Sequence, residues 1–187
     1  MEKYNKKELK QIEKAIILMV KYFNQYSTNP KPVILHSTRV GMSLLNKKIP
    51  VEFVISGILH DVVEDTKCTI EIISKQFGKM VSEVVSSLTM DFEKMDNIFS
   101  DYKERWIDHE KRLNKIGKYG WLIKMIDAND NLLYYSSILK SKKRIFEMMW
   151  KHDLIIRNAK KYWGKHKEFI EYKSLVNKMN KKWKIKF

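Results

Sequence analysis

The sequence predicts an all-α fold. Its 187 residues include only 6 Gly and 3 Pro, so it has few of the turn signals that a many-stranded fold requires. Hydrophobic residues make up 44% and aromatic residues 12% of the chain, which is enough for a buried core and too much for a disordered chain. Apolar residues recur every three or four positions along most of the sequence, as they do in amphipathic helices. The length and the lack of a repeat or linker favour a single domain over residues 1–187.

The apolar spacing defines the predicted helices in chain order. Thr69 is expected to cap one helix at its N-terminus, and Gly78 is expected to stop that helix. The irregular, acidic stretch Met90–Asp101 predicts a loop. The segments with helical spacing are 9–23, 36–45, 51–63, 69–77, 81–88, 102–116, 121–139 and one or two helices within 141–187.

The helix predicted at 51–63 carries polar residues that do not fit its apolar character. Its sequence, VEFVISGILHDVV, is nearly all apolar and predicts a central, buried helix until His60 and Asp61. Glu64 and Asp65 follow within one turn and are the i, i+4 partners of that pair on a helix. Buried ionisable groups cost several kcal/mol when unpaired, and neighbouring carboxylates repel one another. A divalent cation would relieve both penalties.

Two further polar residues interrupt apolar helical patterns elsewhere. His36 lies in VILHSTRV, and Asp127 lies in LIKMIDANDNLL. With His60 and Asp61 they would form a site of two histidines and two aspartates drawn from three helices. Imidazole and carboxylate ligands together suit Mn, Fe, Zn or Ni.

The order of these residues resembles the H…HD…D signature of the HD-domain superfamily of metal-dependent phosphohydrolases. Three segments are similar to one branch of that superfamily, the alarmone hydrolases or guanosine polyphosphate 3′-pyrophosphohydrolases. GILHDVVEDTKCTIEIISKQFG resembles the pattern LLHDxxEDT followed by an EIxxxFG helix. VSEVVSSLT resembles the VxxLT segment of that branch, and KMIDANDNL resembles its KLADRLHNL segment. The similarity runs from about residue 15 to 140 and implies an HD-type helical bundle, with further helices at 141–187.

The resemblance also implies roles for individual residues. Glu64 and Asp65 match the pair that orients and activates the attacking water, and Asn131 matches an asparagine of the nucleotide pocket. The implied reaction is hydrolysis of a phosphoester at the ribose 3′ position, with release of pyrophosphate. The implied metal is most often Mn²⁺ in this branch, with Fe, Zn, Ni or Mg as alternatives. Its implied ligands are His36, His60, Asp61 and Asp127.

The segment before the first histidine departs from the alarmone pattern. STNPKPVILHSTRV contains neither an Arg-Lys pair nor a Gly-x-Pro-Tyr segment, and Ser37 stands where proline is usual. Those elements serve nucleotide recognition, so the predicted substrate is a small phosphorylated nucleotide whose identity stays open. Lys31, Arg39 and Lys124 are the basic residues that could contact its phosphates.

Two other functions remain alternatives. One is a 5′-nucleotidase or nucleotide phosphodiesterase that uses the same metal site. The other is a basic protein that retains the metal site but binds nucleic acid or a partner protein. The net charge of +15 and the six lysines of segment 171–187 agree with this last possibility. No recognised nucleic-acid-binding motif occurs, so a small nucleotide is favoured.

The remaining expectations concern location and surface residues. A single cysteine, Cys68, excludes an internal disulfide and fits a reducing compartment. No apolar run reaches the roughly 20 residues that a membrane span needs, and a cytoplasmic protein is expected. His109, His152 and His166 lie in polar surroundings and are predicted to be surface residues. The oligomeric state is left open.

Overall fold

The computed structural model describes residues 4–90 and 99–186. Regular structure within these ranges is entirely helical, which confirms the all-α prediction. The chain divides into two compact units, residues 1–92 and 93–187. The prediction of a single domain over 1–187 stays a prediction. Among the described residues, no helix combines the length and apolarity needed to cross a membrane.

The first unit is built around a short central helix. Its helices are α1 (Lys6–Tyr26), α2 (Val33–Asn46), α3 (Val51–Leu59), α4 (Val62–Asp65), α5 (Ile70–Phe77) and α6 (Lys79–Leu88). Helix α3 packs against α1, α2 and α6, and seven of its nine residues are buried. Burial on all sides explains why its sequence is apolar all round rather than on one face.

Two glycines allow α2 and α3 to approach closely. A Cβ atom on Gly41 would lie 2.4 Å from Cγ1 of Ile58, and one on Gly57 would lie 2.1 Å from Cδ1 of Leu44. Both neighbouring side chains are buried, so neither can turn away into solvent. The small residues therefore fix the distance between the two helices.

Local signals define several helix ends in this unit. The Asn5 side chain accepts hydrogen bonds from the backbone of Lys7 and Glu8, and the Glu8 side chain accepts one from Asn5 N, forming a capping box. The Thr69 hydroxyl caps α5, as predicted. Gly78 follows α5 with a φ of 89°, a conformation that favours glycine.

The second unit consists of four longer helices. They are α7 (Phe99–Ile116), α8 (Lys118–Ile138), α9 (Lys142–Trp163) and α10 (Lys167–Trp183). Helix α8 packs against the other three, and α10 also packs against α9. The core of α8 includes Trp121, Ile123 and Met125, each at most 1% exposed.

Several element boundaries differ from the sequence-based prediction. The helix predicted at 51–63 is interrupted, because α3 ends at Leu59 and α4 starts at Val62. Helix α8 begins at Lys118, so Gly120 lies inside it. The loop predicted at Met90–Asp101 falls largely on residues 91–98, outside the described ranges, but its end is wrong since α7 begins at Phe99.

Candidate metal centre

Two histidine rings face one another in the interior of the first unit. His36 lies on the inner side of α2 and is fully buried, and His60 directly follows α3 with 2% exposure. Their Nε2 atoms are 3.2 Å apart. The Nδ1 atom of His60 lies 2.8 Å from the carbonyl oxygen of Gly57. A proton on Nδ1 satisfies that carbonyl and leaves the Nε2 lone pair directed at His36.

Asp61 joins the histidine pair where the helix is interrupted. Its backbone, with φ −95° and ψ −6°, lies in the sparsely populated bridge region and turns the carboxylate inward. Oδ1 is 3.0 Å from His60 Nε2, and Oδ2 is 3.4 Å from His36 Nε2. Two nitrogens and a carboxylate thus converge on one point within this unit.

The spacing of these atoms fits ligands of a single metal ion. Two atoms that each lie about 2.1 Å from a metal are about 3.0 Å apart at a right angle and about 3.4 Å apart at the tetrahedral angle. The two nitrogens are 3.2 Å apart, and each lies 3.0 or 3.4 Å from one of the two Asp61 oxygens, so all three separations fall in that range. The donor set and its spacing therefore suit a divalent cation.

Charge around Asp61 keeps its carboxyl ionised. Burial by itself would raise the pKa of Asp61, but the charge and hydrogen bond of His60, the hydrogen bond of His36 and the charge of Lys31 hold that pKa well below its usual range. The Lys31 ammonium lies 3.3 Å from Oδ2 and is largely buried. Lys31, which was predicted to contact a phosphate, therefore forms an ion pair with Asp61 in this structure.

The Glu64–Asp65 pair is held by two long-range contacts. Glu64 Oε2 accepts a hydrogen bond from the backbone N–H of Met90, at 2.9 Å. Asp65 Oδ2 accepts one from the Asn29 side chain, at 3.0 Å. Burial, and then the negative charge of Asp61, raise the pKa of the Asp65 carboxyl. The Asp65 carboxyl therefore holds a proton more tightly than an ordinary aspartate does.

Three of the predicted site residues lie on one face of α8 in the second unit. Asp127 is 3% exposed, its Oδ2 lies 3.0 Å from the Lys124 ammonium, and its Oδ1 accepts a hydrogen bond from the Asn131 amide. Arg39, on α2 of the first unit, is exposed. The roles of these four residues stay predictions.

Two buried histidines of the second unit were missed by the sequence reasoning. The prediction that His109 and His152 are surface residues is wrong, since both are fully buried, whereas His166 is exposed as expected. Burial first, and then the charges of neighbouring cations, lower the pKa of both rings well below the usual value, so both are neutral. Their immediate neighbours in sequence are polar, but His109 lies at helical spacing between Trp106 and Leu113. His152 lies in the same way between Met149 and Ile155, so this apolar spacing was the signal that could have marked both as buried.

Comparison with known proteins bears on the motifs and on the fold. No family model matches the sequence. The chain is 29% identical over 124 residues to the bifunctional (p)ppGpp synthase/hydrolase SpoT of Escherichia coli K12, a match that covers 64% of this chain and 17% of SpoT. It is 31% identical over 83 residues to the guanosine-3′,5′-bis(diphosphate) 3′-pyrophosphohydrolase of Borreliella burgdorferi, covering 44% of this chain and 12% of that protein. The predicted resemblance to the alarmone hydrolases is confirmed.

The matched segment spans only about a sixth of the length of SpoT. Two solved structures share the fold of this chain. A metazoan SpoT orthologue that hydrolyses ppGpp superposes with a TM-score of 0.69 at 19% identity, covering 92% of this chain and 94% of the orthologue. The protein lmo0812 of Listeria monocytogenes superposes with a TM-score of 0.62 at 25% identity, covering 78% of this chain and 99% of lmo0812. These matches agree with the HD-type helical fold implied by the motifs.

Proposed function

We propose that this chain is a metal-dependent phosphohydrolase of nucleotides, and that a guanosine 3′-diphosphate is its substrate class. The observation that carries the proposal is the convergence of His36, His60 and Asp61 at separations of 3.0–3.4 Å. The named activity of the SpoT-type relatives supports the substrate class. Because the match covers only a small part of those proteins, their activity is extended to this chain by proposal.

The proposed metal is Mn²⁺, held by the two histidines and Asp61, with Asp127 as the fourth ligand that the family resemblance supplies. A bound divalent ion provides Lewis-acid polarisation of the phosphate and offsets its negative charge. The His60 ring is oriented for this role by Gly57, and Asp61 is kept ionised by its neighbours.

The proposed base is Asp65, with Glu64 orienting the water. A general base works best when its pKa is raised towards the working pH, and the pKa of Asp65 is shifted in that direction by burial and by Asp61. Water attacks the phosphorus nearest the ribose, Asp65 accepts its proton, and the bond to the 3′ oxygen breaks. The 3′ oxygen takes up a proton as pyrophosphate leaves, so the ribose regains a hydroxyl group.

The test is an assay of purified protein with Mn²⁺ against a panel of nucleotides phosphorylated at the 3′ or 5′ position, in which both phosphate and pyrophosphate release are measured. We expect pyrophosphate release from ppGpp, and a loss of about 10²- to 10⁴-fold in turnover for Asp65→Asn. The matched control is Glu83→Gln, which neutralises an exposed carboxylate of α6 that pairs with exposed Lys79, and it should retain wild-type turnover.

The products released in this assay distinguish the proposed activity from its alternatives. Release of 5′ phosphate, or cleavage of a phosphodiester, would assign the site to the 5′-nucleotidase or phosphodiesterase alternative. Metal-loaded protein that turns over no member of the panel would contradict the enzyme proposal. A cytoplasmic location is part of the proposal and is supported by the single cysteine, Cys68.

A further inference from the structure

Most of the net positive charge of the chain belongs to the segment that contains its last two helices. Residues 141–187 contain 15 Lys and Arg against four Asp and Glu, so this quarter of the sequence carries +11 of the net +15. None of the proposed catalytic residues or metal ligands lies in this segment. The concentration of charge therefore calls for an explanation separate from the hydrolase site.

The apolar side of α10 is already covered within the second unit. Phe169, Tyr172, Val176 and Met179 recur at helical spacing and are 1–8% exposed. The remaining sides of the helix face solvent and carry lysines. Ile170 is an exposed large apolar residue of α10, but the rest of its apolar side is buried, so α10 lacks the continuous free hydrophobic face that membrane insertion requires.

A groove of about 630 Å³ runs along α9 and α10. Lys160 of α9 lines it together with Lys173, Lys178 and Lys181 of α10, and all four side chains are exposed. Ser174 and Asn177 add neutral polar groups that can donate hydrogen bonds. None of its nine lining residues, all within the described part of the chain, is acidic.

We propose that this lysine groove binds the phosphate backbone of a nucleic acid strand. The three α10 lysines that line the groove span nine residues, or about 12 Å of helix, and so can meet more than one phosphate of a strand laid along the groove. Lysine contacts of this kind recognise phosphates without reading sequence. A concave, charged channel fits a strand, whereas a flat lipid surface would reach only its rim.

The test measures binding of a fluorescein-labelled, mixed-sequence single-stranded RNA of about 20 nucleotides by fluorescence anisotropy. Neutralisation of four phosphates on a single strand predicts a slope of about −3 for log K against log salt concentration, or about 50-fold weaker binding at 200 mM than at 50 mM salt. Removing three of the lysines in Lys173→Ala/Lys178→Ala/Lys181→Ala should weaken binding at least tenfold at 50 mM salt. The slope should also become shallower by about 2.

The matched control removes the same charge from an exposed stretch of α1, in Lys6→Ala/Lys7→Ala/Lys10→Ala. It should bind within twofold of wild type. Thermal melting followed by circular dichroism checks that both variants fold. Equal weakening by the two variants would overturn the proposal, because it would show a response to net charge alone. Binding to vesicles containing 30% phosphatidylserine without binding to RNA would also overturn it, in favour of a membrane surface.

The groove is independent of the proposed hydrolase function. Its lysines lie outside the proposed catalytic machinery, so the groove variant should hydrolyse nucleotides at the wild-type rate. Failure of either proposal therefore leaves the other standing.

Discussion

Replacing Gly41 by alanine tests whether the close approach of α2 and α3 sets the spacing of the paired histidines. The new Cβ would lie 2.4 Å from Cγ1 of Ile58, whereas ordinary contact starts at 3.4 Å, so about 1 Å of space is missing. Ile58 is 2% exposed, and a β-branched side chain has essentially one χ1 rotamer in a helix. The two helices must therefore move apart.

The expected cost follows from two opposing effects. Overpacking of this size costs about 1–3 kcal/mol, and alanine recovers about 1 kcal/mol through its better helix propensity. We expect a net loss of about 1 kcal/mol in the free energy of unfolding, measured by urea denaturation. Separation of the helices should also lengthen the 3.2 Å distance between His36 Nε2 and His60 Nε2, so Mn²⁺ affinity measured by calorimetric titration should fall.

A second background gives the control for this prediction. Ile58→Ala removes the Cγ1 atom that the new methyl group would meet, at the cost of a cavity of its own. In that background Gly41→Ala should stabilise the protein by up to about 1 kcal/mol, because only the helix-propensity gain remains. The same change in stability from Gly41→Ala in both backgrounds would refute the reasoning, since the clash would then play no part.

Three further predictions concern stability. Because the pKa values of buried His109 and His152 are depressed, only the unfolded state takes up their protons below pH 6.5. The free energy of unfolding should therefore be at its full value above pH 6.5 and fall below it by up to about 2.7 kcal/mol per pH unit. Urea denaturation from pH 7.5 to 5 that shows no such fall would contradict this prediction. Thr69→Ala removes the cap of α5 and should cost about 1 kcal/mol in the same assay, whereas Thr69→Ser should keep most of the cap; equal losses would exclude the capping role. Tyr4→Phe removes the 2.7 Å hydrogen bond from the Tyr4 hydroxyl to the carbonyl of Ile49. The loss of about 1–2 kcal/mol in the free energy of unfolding should lower the melting temperature, and an unchanged melting temperature would show that water replaces the bond.

Much of the fold was predictable because its signals are local. Apolar spacing marked each long helix, and residues such as Thr69 and Gly78 marked where one of them begins and ends. The H…HD…D order also identified His36, His60 and Asp61 as a group before any distance was known, because ionisable residues inside apolar patterns stand out in sequence. Short stretches of sequence therefore determine where helices form and which polar residues interrupt their apolar patterns.

Other features depend on residues far apart in sequence. Residues 60–61, where the helix is interrupted after Leu59, include no glycine or proline that would predict the interruption. It coincides instead with contacts of Asp61 to His36 and Lys31. The hydrogen bond from Met90 to Glu64 joins residues 26 positions apart. Such contacts have no local signature, because they exist only after the helices have packed.

The sequence by itself determined the all-α class, the candidate ligand types and the concentration of lysine near the C-terminus. Only the tertiary structure decided that Asp65 has a raised pKa and that lysines of α9 and α10 line one groove. The physical reason is that helix formation depends on neighbours within a few residues, whereas burial, electrostatic environment and surface shape depend on which helix faces meet.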